Sequence, residues 1–497
     1  MLVITLNKTV YEYDIHSIVK AFFPEKTVKV LTPDTDREKA LELAETGEAL
    51  KGSIQFADSS EAFEGEVRFC LEEQSYLWNW STELPEGTEA FSQEYKDAFK
   101  GFLYQSLCQY TGKTLPWGNM TGIRPTKIAM SLLSEGRSHE EIMAYYQGKH
   151  YVSEEKAKLS IDIAERERKL LSTLHYEDGY SLYIGIPFCP TTCLYCSFTS
   201  YPIAAHRKRV DQYIDCLIKE MDYVREVYKD KILDTVYMGG GTPTTLEADQ
   251  LDRLITALKE RFDFNTVQEF TVEAGRADSI TGEKLEVLYK HGVDRISVNP
   301  QTMNQCTLDT IGRRHTVEQV VEAYHMARQV GFENINMDLI LGLPGEDVQE
   351  VTYTIDEVRK LNPDSLTIHS LAIKRASKLA QWIQRHGISC IHNTDETMSI
   401  AVAGAKAMDM QPYYLYRQKN MSGNFENVGY AREGKFGIYN ILIMEELQTI
   451  VALGAGSITK LVCPDGRIER CDNVKDVELY INQIDEMIDR KRKLLSE

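Results

Sequence analysis

Along the first 175 residues, short runs of alternating apolar and polar positions are separated by polar turns. VITLNK, TVKVLT, GSIQFA and EVRFCLEE read as strands. Stretches with apolar residues three or four apart follow, and they predict helices over 93–108, 125–133 and 153–173. Between them lies WGNMTGIRPTK (117–127), whose Gly and Pro positions mark a turn rather than an assignable chemistry. From about residue 180 the pattern changes. SLYIGI (181–186), DTVYM (234–238), QEFTVE (268–273), DRISVN (294–299), NINMDLIL (334–341) and DSLTIHSL (364–371) are short and rich in β-branched or aromatic residues. Amphipathic helical stretches over 210–227, 250–261, 281–291, 317–330 and 350–361 separate them. Six β/α units in sequence predict an α/β unit with a parallel sheet and right-handed crossovers, either doubly wound or part of a barrel. In both arrangements the active site belongs at the carboxyl ends of the strands. After about 376 the pattern is less regular. Helices over 378–386 and 395–410, a strand-like YYLYRQK (413–419), a glycine-rich ALGAGSITK (452–460) and a helical tail from Val477 are expected. The chain thus divides into an N-terminal α+β domain (1–175), an α/β domain (176–375) and a C-terminal α/β extension (376–497) covering the substrate side.

Composition narrows the class. The 497 residues are 43% hydrophobic and 26% charged, ordinary for a globular protein. No apolar run is long enough to cross a bilayer, and MLVITLNKTVYEYDI lacks the apolar core of a signal peptide. A cytoplasmic location follows as the expectation. The net charge of −19 argues against nucleic-acid binding, which calls for a basic surface. The ten cysteines are mostly far apart, unlike a secreted disulfide scaffold.

Three of them are close. YIGIPFCPTTCLYCSF (183–198) places Cys189, Cys193 and Cys196 in a Cys-x3-Cys-x2-Cys loop directly after the first α/β strand. Such a loop can present three thiolates to one iron–sulfur cubane. A fourth cysteine would close the cluster for plain electron transfer, but Ser197 and Phe198 follow. Three ligands leave one iron open to a small molecule. A structural zinc site normally takes four ligands, often in paired knuckles, and no second knuckle follows; Cys463 and Cys471 are distant and poorly spaced. Three unrelated buried thiols are the remaining alternative.

The cysteine motif after a first strand resembles the signature of the radical S-adenosylmethionine (SAM) superfamily. The resemblance implies a partial (β/α)6 barrel, a 4Fe–4S cluster with three Cys ligands, and SAM held at the open iron. Further motifs lie at successive strand ends. MGGGTPT (238–244) lets main chain approach a ligand closely. Glu273 ends the third strand in FTVEAGR and can accept hydrogen bonds from ribose hydroxyls. Gln301 follows the fourth strand, and Arg313 follows in TIGRRHT. Asp338 is a charge within an otherwise apolar strand, costly unless paired or facing a ligand.

In this order the motifs are similar to those of the oxygen-independent coproporphyrinogen III oxidase (dehydrogenase) family, over about residues 180–375 and more loosely at ALGAGS (452–457). The resemblance implies that Tyr183, Tyr195, Gly240 and Glu273 contact the cluster-bound SAM. It implies that Gly241, Thr242, Gln301, Arg313, Asp338 and Ala372 contact a second SAM molecule. The long N-terminal region resembles a variant of the family from Gram-positive bacteria. The family's substrate is a tetrapyrrole whose two propionates are oxidatively decarboxylated to vinyls in haem biosynthesis. An electron donor such as flavodoxin or ferredoxin is the implied partner. Carboxylate arms call for cations. Lys374 and Arg375 after the sixth strand, and Arg209 after the cysteine loop, are the candidates. Phe198 stands where the best-known dehydrogenases carry an additional cysteine, as in the related haem chaperones. Three rival readings remain: a haem chaperone on the same scaffold, which Phe198 favours; a radical SAM group-transferase acting on another small molecule, which a second SAM would suit; and a non-enzymatic iron–sulfur or zinc protein, against which the absent fourth cysteine argues.

Overall fold

The computed structural model describes residues 2–495 except 25, 35–49, 57–62, 72–73, 83–91, 123, 176–177, 375–376 and 419–423. The chain forms two compact units, Met1–Ala164 with Arg417–Phe425, and Glu165–Tyr416 with Glu426–Glu497.

The first unit is built on a sheet in the order β2-β1-β3-β4-β5. Its strands are β1 (Leu2–Leu6), β2 (Val28–Leu31), β3 (Leu50–Phe56), β4 (Phe63–Leu71) and β5 (Gln74–Thr82). The parallel pairs β1–β2 and β1–β3 adjoin an antiparallel β3-β4-β5 meander. Alternation along β1 sends Leu2, Ile4 and Leu6 into a core with Ile15, Ile18, Val19 and Phe22 of the helix Glu12–Phe22. Phe99, Leu103 and Leu107, four apart on the helix Gln93–Thr111, complete it. The strand β5 and the helices Glu12–Phe22 and His139–His150 were not predicted. Of the two helices only His139–His150 has a weak apolar stripe; Glu12–Phe22 buries Ile15, Ile18, Val19 and Phe22 on one face, a helical spacing that its sequence carries.

The WGNM turn has a structural account. Trp117 is fully buried, and the guanidinium of Arg417 lies 5.5 Å from its ring centroid. Arg417 donates to the Met120 carbonyl at 2.8 Å. Gly118 is left-handed (φ 53°), and a Cβ there would stand 1.9 Å from the His150 carbonyl oxygen.

The second unit carries β6 (Gly179–Ile186), the two-residue strands β7 (Phe188–Cys189) and β8 (Tyr201–Pro202), then β9 (Ile232–Gly240), β10 (Glu269–Gly275), β11 (Arg295–Val298), β12 (Ile335–Leu341) and β13 (Ser365–Ser370). β14 (Gln411–Tyr416), β15 (Asn427–Ala431), β16 (Thr449–Leu453), β17 (Ile458–Val462) and β18 (Ile468–Asp472) follow. The sheet order is β14-β15-β13-β12-β11-β10-β9-β6-β16-β17-β18. From β6 through β13 the parallel strands add in one direction without reversal. A doubly wound sheet would reverse at a switch point. The six predicted units therefore form a singly wound, partial (β/α)6 barrel wall. It stays open, because β13 takes antiparallel β15 as its other neighbour and β6 takes parallel β16. Helices fill the crossovers where their periodicity predicts, for example Val210–Val227 and Val317–Val330. The tail is two helices, Val477–Asn482 and Ile484–Leu495, rather than one. Among the described residues no helix is long and apolar enough to cross a membrane.

Candidate active site at the carboxyl ends of the barrel strands

The cysteine loop leaves β6 at its carboxyl end and is closed at its base. β7 pairs with β8 in parallel, and the Tyr201 amide donates to the Pro187 carbonyl at 2.8 Å. Within it, Cys196 N–H donates to the Cys193 carbonyl at 3.2 Å. Three outside ties hold the loop in place. Leu194 N–H reaches the Ile311 carbonyl at 2.9 Å, Thr191 Oγ1 donates to the Gly312 carbonyl at 3.0 Å, and Leu379 N–H donates to the Leu194 carbonyl at 3.0 Å. Leu194 and Tyr195 also pack on a cluster containing Leu308, Ile311, Leu371 and Leu379.

The loop brings the three thiols within electrostatic reach of one another. Burial pushes the Cys189 thiol up to about 11, and the neighbouring Cys196 and Cys193 raise it further against a 3.5 Å contact with Thr242 Oγ1. Burial also raises Cys196, against hydrogen bonding to the Phe198 backbone and the charge of Lys374. Among the described residues no three His, Cys, Asp or Glu converge on a point as they would around a single metal ion.

Two buried guanidiniums face the loop. Arg313 donates to the Asn299 carbonyl and interacts with Cys193 and Tyr195. Arg276, 2% exposed, reaches Cys193 Sγ at 3.8 Å. These charges suit an anionic cluster in a buried site.

Beside the thiols, the glycines end β9. Gly241 N–H donates to the Ile186 carbonyl and Thr242 N–H to the Phe188 carbonyl, each at 2.7 Å. A Cβ on Gly241 would lie 2.5 Å from the Phe188 oxygen, and one on Gly239 would lie 2.9 Å from the Glu273 carboxyl carbon. Only glycine lets this segment, a glycine cradle at 239–241, pack so closely against Phe188 and Glu273. Lys284 Nζ braces the turn by donating to the Thr244 carbonyl at 2.8 Å.

Glu273 accepts a hydrogen bond from Tyr237. Burial pushes its carboxyl up to about 7; the Tyr237 hydroxyl opposes this and the nearby Asp338 adds to it. Tyr183, Tyr237 and Tyr439 stack beside it, with Tyr237 and Tyr439 centroids 4.3 Å apart. Gln301 holds a left-handed φ of 68°, rare for a non-glycine residue and typical of functional sites. Its amide donates to the Asp338 carbonyl at 2.9 Å, and its own carbonyl accepts from Ile340 N–H at 2.9 Å. The Asp338 carboxylate accepts from Asn336 Nδ2 at 2.8 Å and lies 4.0 Å from His369 Nε2. Ala372 follows β13, half-buried.

The cation candidates separate. Lys374 Nζ sits 5.5 Å from the centroid of the Phe198 ring, which is 70% exposed, and its charge acts on Cys196. Burial lowers its pKa against that thiol. The Arg209 guanidinium pairs with Glu478 through Nε and Nη2 and meets Gln212 through Nη1. A fork so occupied has little left for a propionate. Arg375 lies outside the described residues. Sequence motifs do not mark Arg276, Tyr237 or Tyr439, and His369 reads from sequence as an isolated, structural histidine. Arg276 stood three positions beyond Glu273 at a strand end and was findable. Tyr439 lies on the distant helix Ile438–Glu445, with no motif to mark it.

A singly wound open barrel with a three-cysteine loop at its mouth defines a radical SAM domain, and residues 183–358 match the Radical SAM superfamily. The oxygen-independent coproporphyrinogen-III oxidase-like protein HemZ of Bacillus subtilis (strain 168) is 44% identical over 414 residues, 81% of this chain and 83% of that protein. The chain belongs to that family, and membership implies a 4Fe–4S cluster and SAM. The heme chaperone HemW of Lactococcus lactis subsp. lactis (strain IL1403) is 33% identical over 56% of this chain and 68% of its own length. The oxygen-independent coproporphyrinogen III oxidase of Escherichia coli (strain K12) is 31% identical over 46% of this chain and 50% of its own. The solved structure of Escherichia coli coproporphyrinogen III oxidase (HemN) superposes with a TM-score of 0.51 at 23% identity, covering 67% of this chain and 73% of that one; this likeness concerns the fold.

Proposed function

We propose that this chain is a coproporphyrinogen III dehydrogenase of the radical SAM class. In this reading Cys189, Cys193 and Cys196 hold the 4Fe–4S cluster, and the glycine cradle at 239–241 with Glu273 binds SAM. The cofactor pair supplies one-electron reduction of SAM and an adenosyl radical able to take a hydrogen atom. The protein's share is to bind, orient and keep water away. Tyr183, Tyr195 and Gly240 join Glu273 around the first SAM. Gly241, Thr242, Gln301, Arg313, Asp338 and Ala372 line the space for a second. Lys374 is the described cation best placed for a propionate. Each propionate loses a hydrogen atom, carbon dioxide and one electron as it becomes a vinyl group. An external acceptor takes that electron, and a flavodoxin or ferredoxin in the cytoplasm reduces the cluster.

The observation that carries this reading is the three-thiol loop beside two buried guanidiniums and a glycine cradle, in a chain sharing 81% of its length with a coproporphyrinogen-III oxidase-like relative. One feature favours a haem chaperone instead: Phe198 projects into solvent where a further cysteine would stand. Anaerobic reconstitution with reductant, SAM and coproporphyrinogen III, followed by mass spectrometry, separates the readings. Loss of two carboxyl groups with release of 5′-deoxyadenosine, absent in Cys193→Ala, supports the dehydrogenase. Deoxyadenosine with an unaltered tetrapyrrole refutes it, and a product that gains mass on another acceptor points to group transfer. Haem binding without turnover supports the chaperone.

A further inference from the structure

Arg276 has no part in the SAM or substrate roles above, yet it is the most completely engaged cation at the cysteine loop. It lies just beyond β10, 2% exposed. One edge of its guanidinium is fixed by Asp278, with Nε–Oδ1 at 2.9 Å and Nη2–Oδ2 at 2.6 Å. Its remaining nitrogen, Nη1, points into the loop, reaching Thr191 Oγ1 at 2.8 Å, the Thr191 carbonyl at 3.1 Å and Cys193 Sγ at 3.8 Å. His315 Nδ1 stands 3.8 Å from Asp278 Oδ1 on the far side, fully buried. The carboxylate thus orients the guanidinium and compensates its charge, which lowers the cost of burying it. Nη1 has two hydrogens for these three acceptors, so the sulfur shares an N–H with Thr191 at the longest of the three distances.

We infer that Arg276 is a positioning residue that sets the reduction potential of the cluster through its N–H contact with the Cys193 sulfur. The inference rests on the cluster reading above. An N–H donor to a ligand sulfur, with a cation behind it, stabilises the reduced and more negative cluster and raises its potential. The same residue clips Thr191 to the loop, so it fixes the sulfur it addresses.

The test is an EPR-monitored redox titration of the full chain, anaerobically reconstituted, as wild type, Arg276→Gln, Arg276→Lys and Asp278→Asn. The midpoint is expected to fall in Arg276→Gln, to lie between that value and wild type in Arg276→Lys, and to rise in Asp278→Asn, where the guanidinium loses its counter-charge. A merely structural role predicts the opposite sign for Arg276→Gln. A loosened loop admits water, water solvates the more charged reduced cluster better, and the potential rises. An unchanged or raised midpoint in loaded Arg276→Gln overturns the inference alone. Should the glutamine variant fail to load, Arg276→Lys carries the same sign test, since it keeps the charge but loses the fork. Absence of iron and sulfide from reconstituted wild type overturns the cluster reading and this inference with it.

Discussion

Replacing Lys491 with Met should destabilise the second unit far more than an ordinary surface change, because it strands a buried charge. Glu220 is 0% exposed and Lys491 1% exposed, with Nζ–Oε1 at 2.6 Å. Lys491 Nζ also donates to Asn473 Oδ1 at 2.7 Å. Glu220 accepts from Gly454 N–H at 2.8 Å, from Asn473 Nδ2 at 2.9 Å and from the Tyr480 hydroxyl. The methionine fills the space of the lysine stem, so the cavity cost is small and the loss is electrostatic. Removing one partner of a buried pair costs about 3–5 kcal/mol. At roughly 2 °C per kcal/mol for a large unit, the unfolding midpoint should fall about 6–10 °C. Calorimetry of the anaerobic apo-protein is the assay, with Glu220→Gln/Lys491→Met as the second arm. The double variant should recover at least half of the loss, since a neutral amide can still accept from Gly454 and no longer needs a cation. A single-variant midpoint within 2 °C of wild type would refute the reasoning. So would a double variant that falls further than the single one.

Three other outcomes can be checked directly. Gly241→Ala forces a methyl within 2.5 Å of the Phe188 carbonyl oxygen; overpacking of about 1–3 kcal/mol should accompany loss of SAM binding by calorimetry, whereas Gly148→Ala, on the helix His139–His150 with nothing within 4 Å of its added methyl, should leave SAM affinity unchanged. Burial pushes the Glu273 carboxyl up to about 7 in the folded chain, above an unfolded carboxyl; its proton stabilises the fold below the unfolded pKa, and that contribution is lost as pH rises through about 7. Glu273→Gln should therefore raise the melting temperature at pH 8 but not at pH 4, and should abolish a gain in SAM affinity between pH 6 and 8. Because burial holds the Cys189 thiol near 11, iron must displace a proton to bind. Cluster loading followed by absorbance should accelerate from pH 7 to 9, and a flat profile would count against protonated thiols in the free site.

The elements with strong local signals were legible in the chain. The six β/α strands read from SLYIGI to DSLTIHSL fall within β6 and β9–β13 to within a few residues. The cysteine spacing pointed to a cluster because a trio without a fourth partner is itself informative. What local pattern could not decide was barrel against doubly wound sheet, since both share the same βα rhythm; strand order alone separates them.

The site divides along the same line. Strand-end motifs are contiguous in sequence, so Glu273, Gln301 and Asp338 could be picked out by position. The left-handed φ of Gln301 could not, because it arises where that residue bridges to Leu339 of the neighbouring strand. Arg209 looked available by sequence and is taken by Glu478, 269 positions away. Arg276 reaches back 83 positions to Cys193. Periodicity, turn chemistry and ligand spacing are short-range properties, and the amino-acid order by itself determined them. The pairing of buried charges is settled by desolvation, which exists only once distant segments exclude water together, so it emerges with folding.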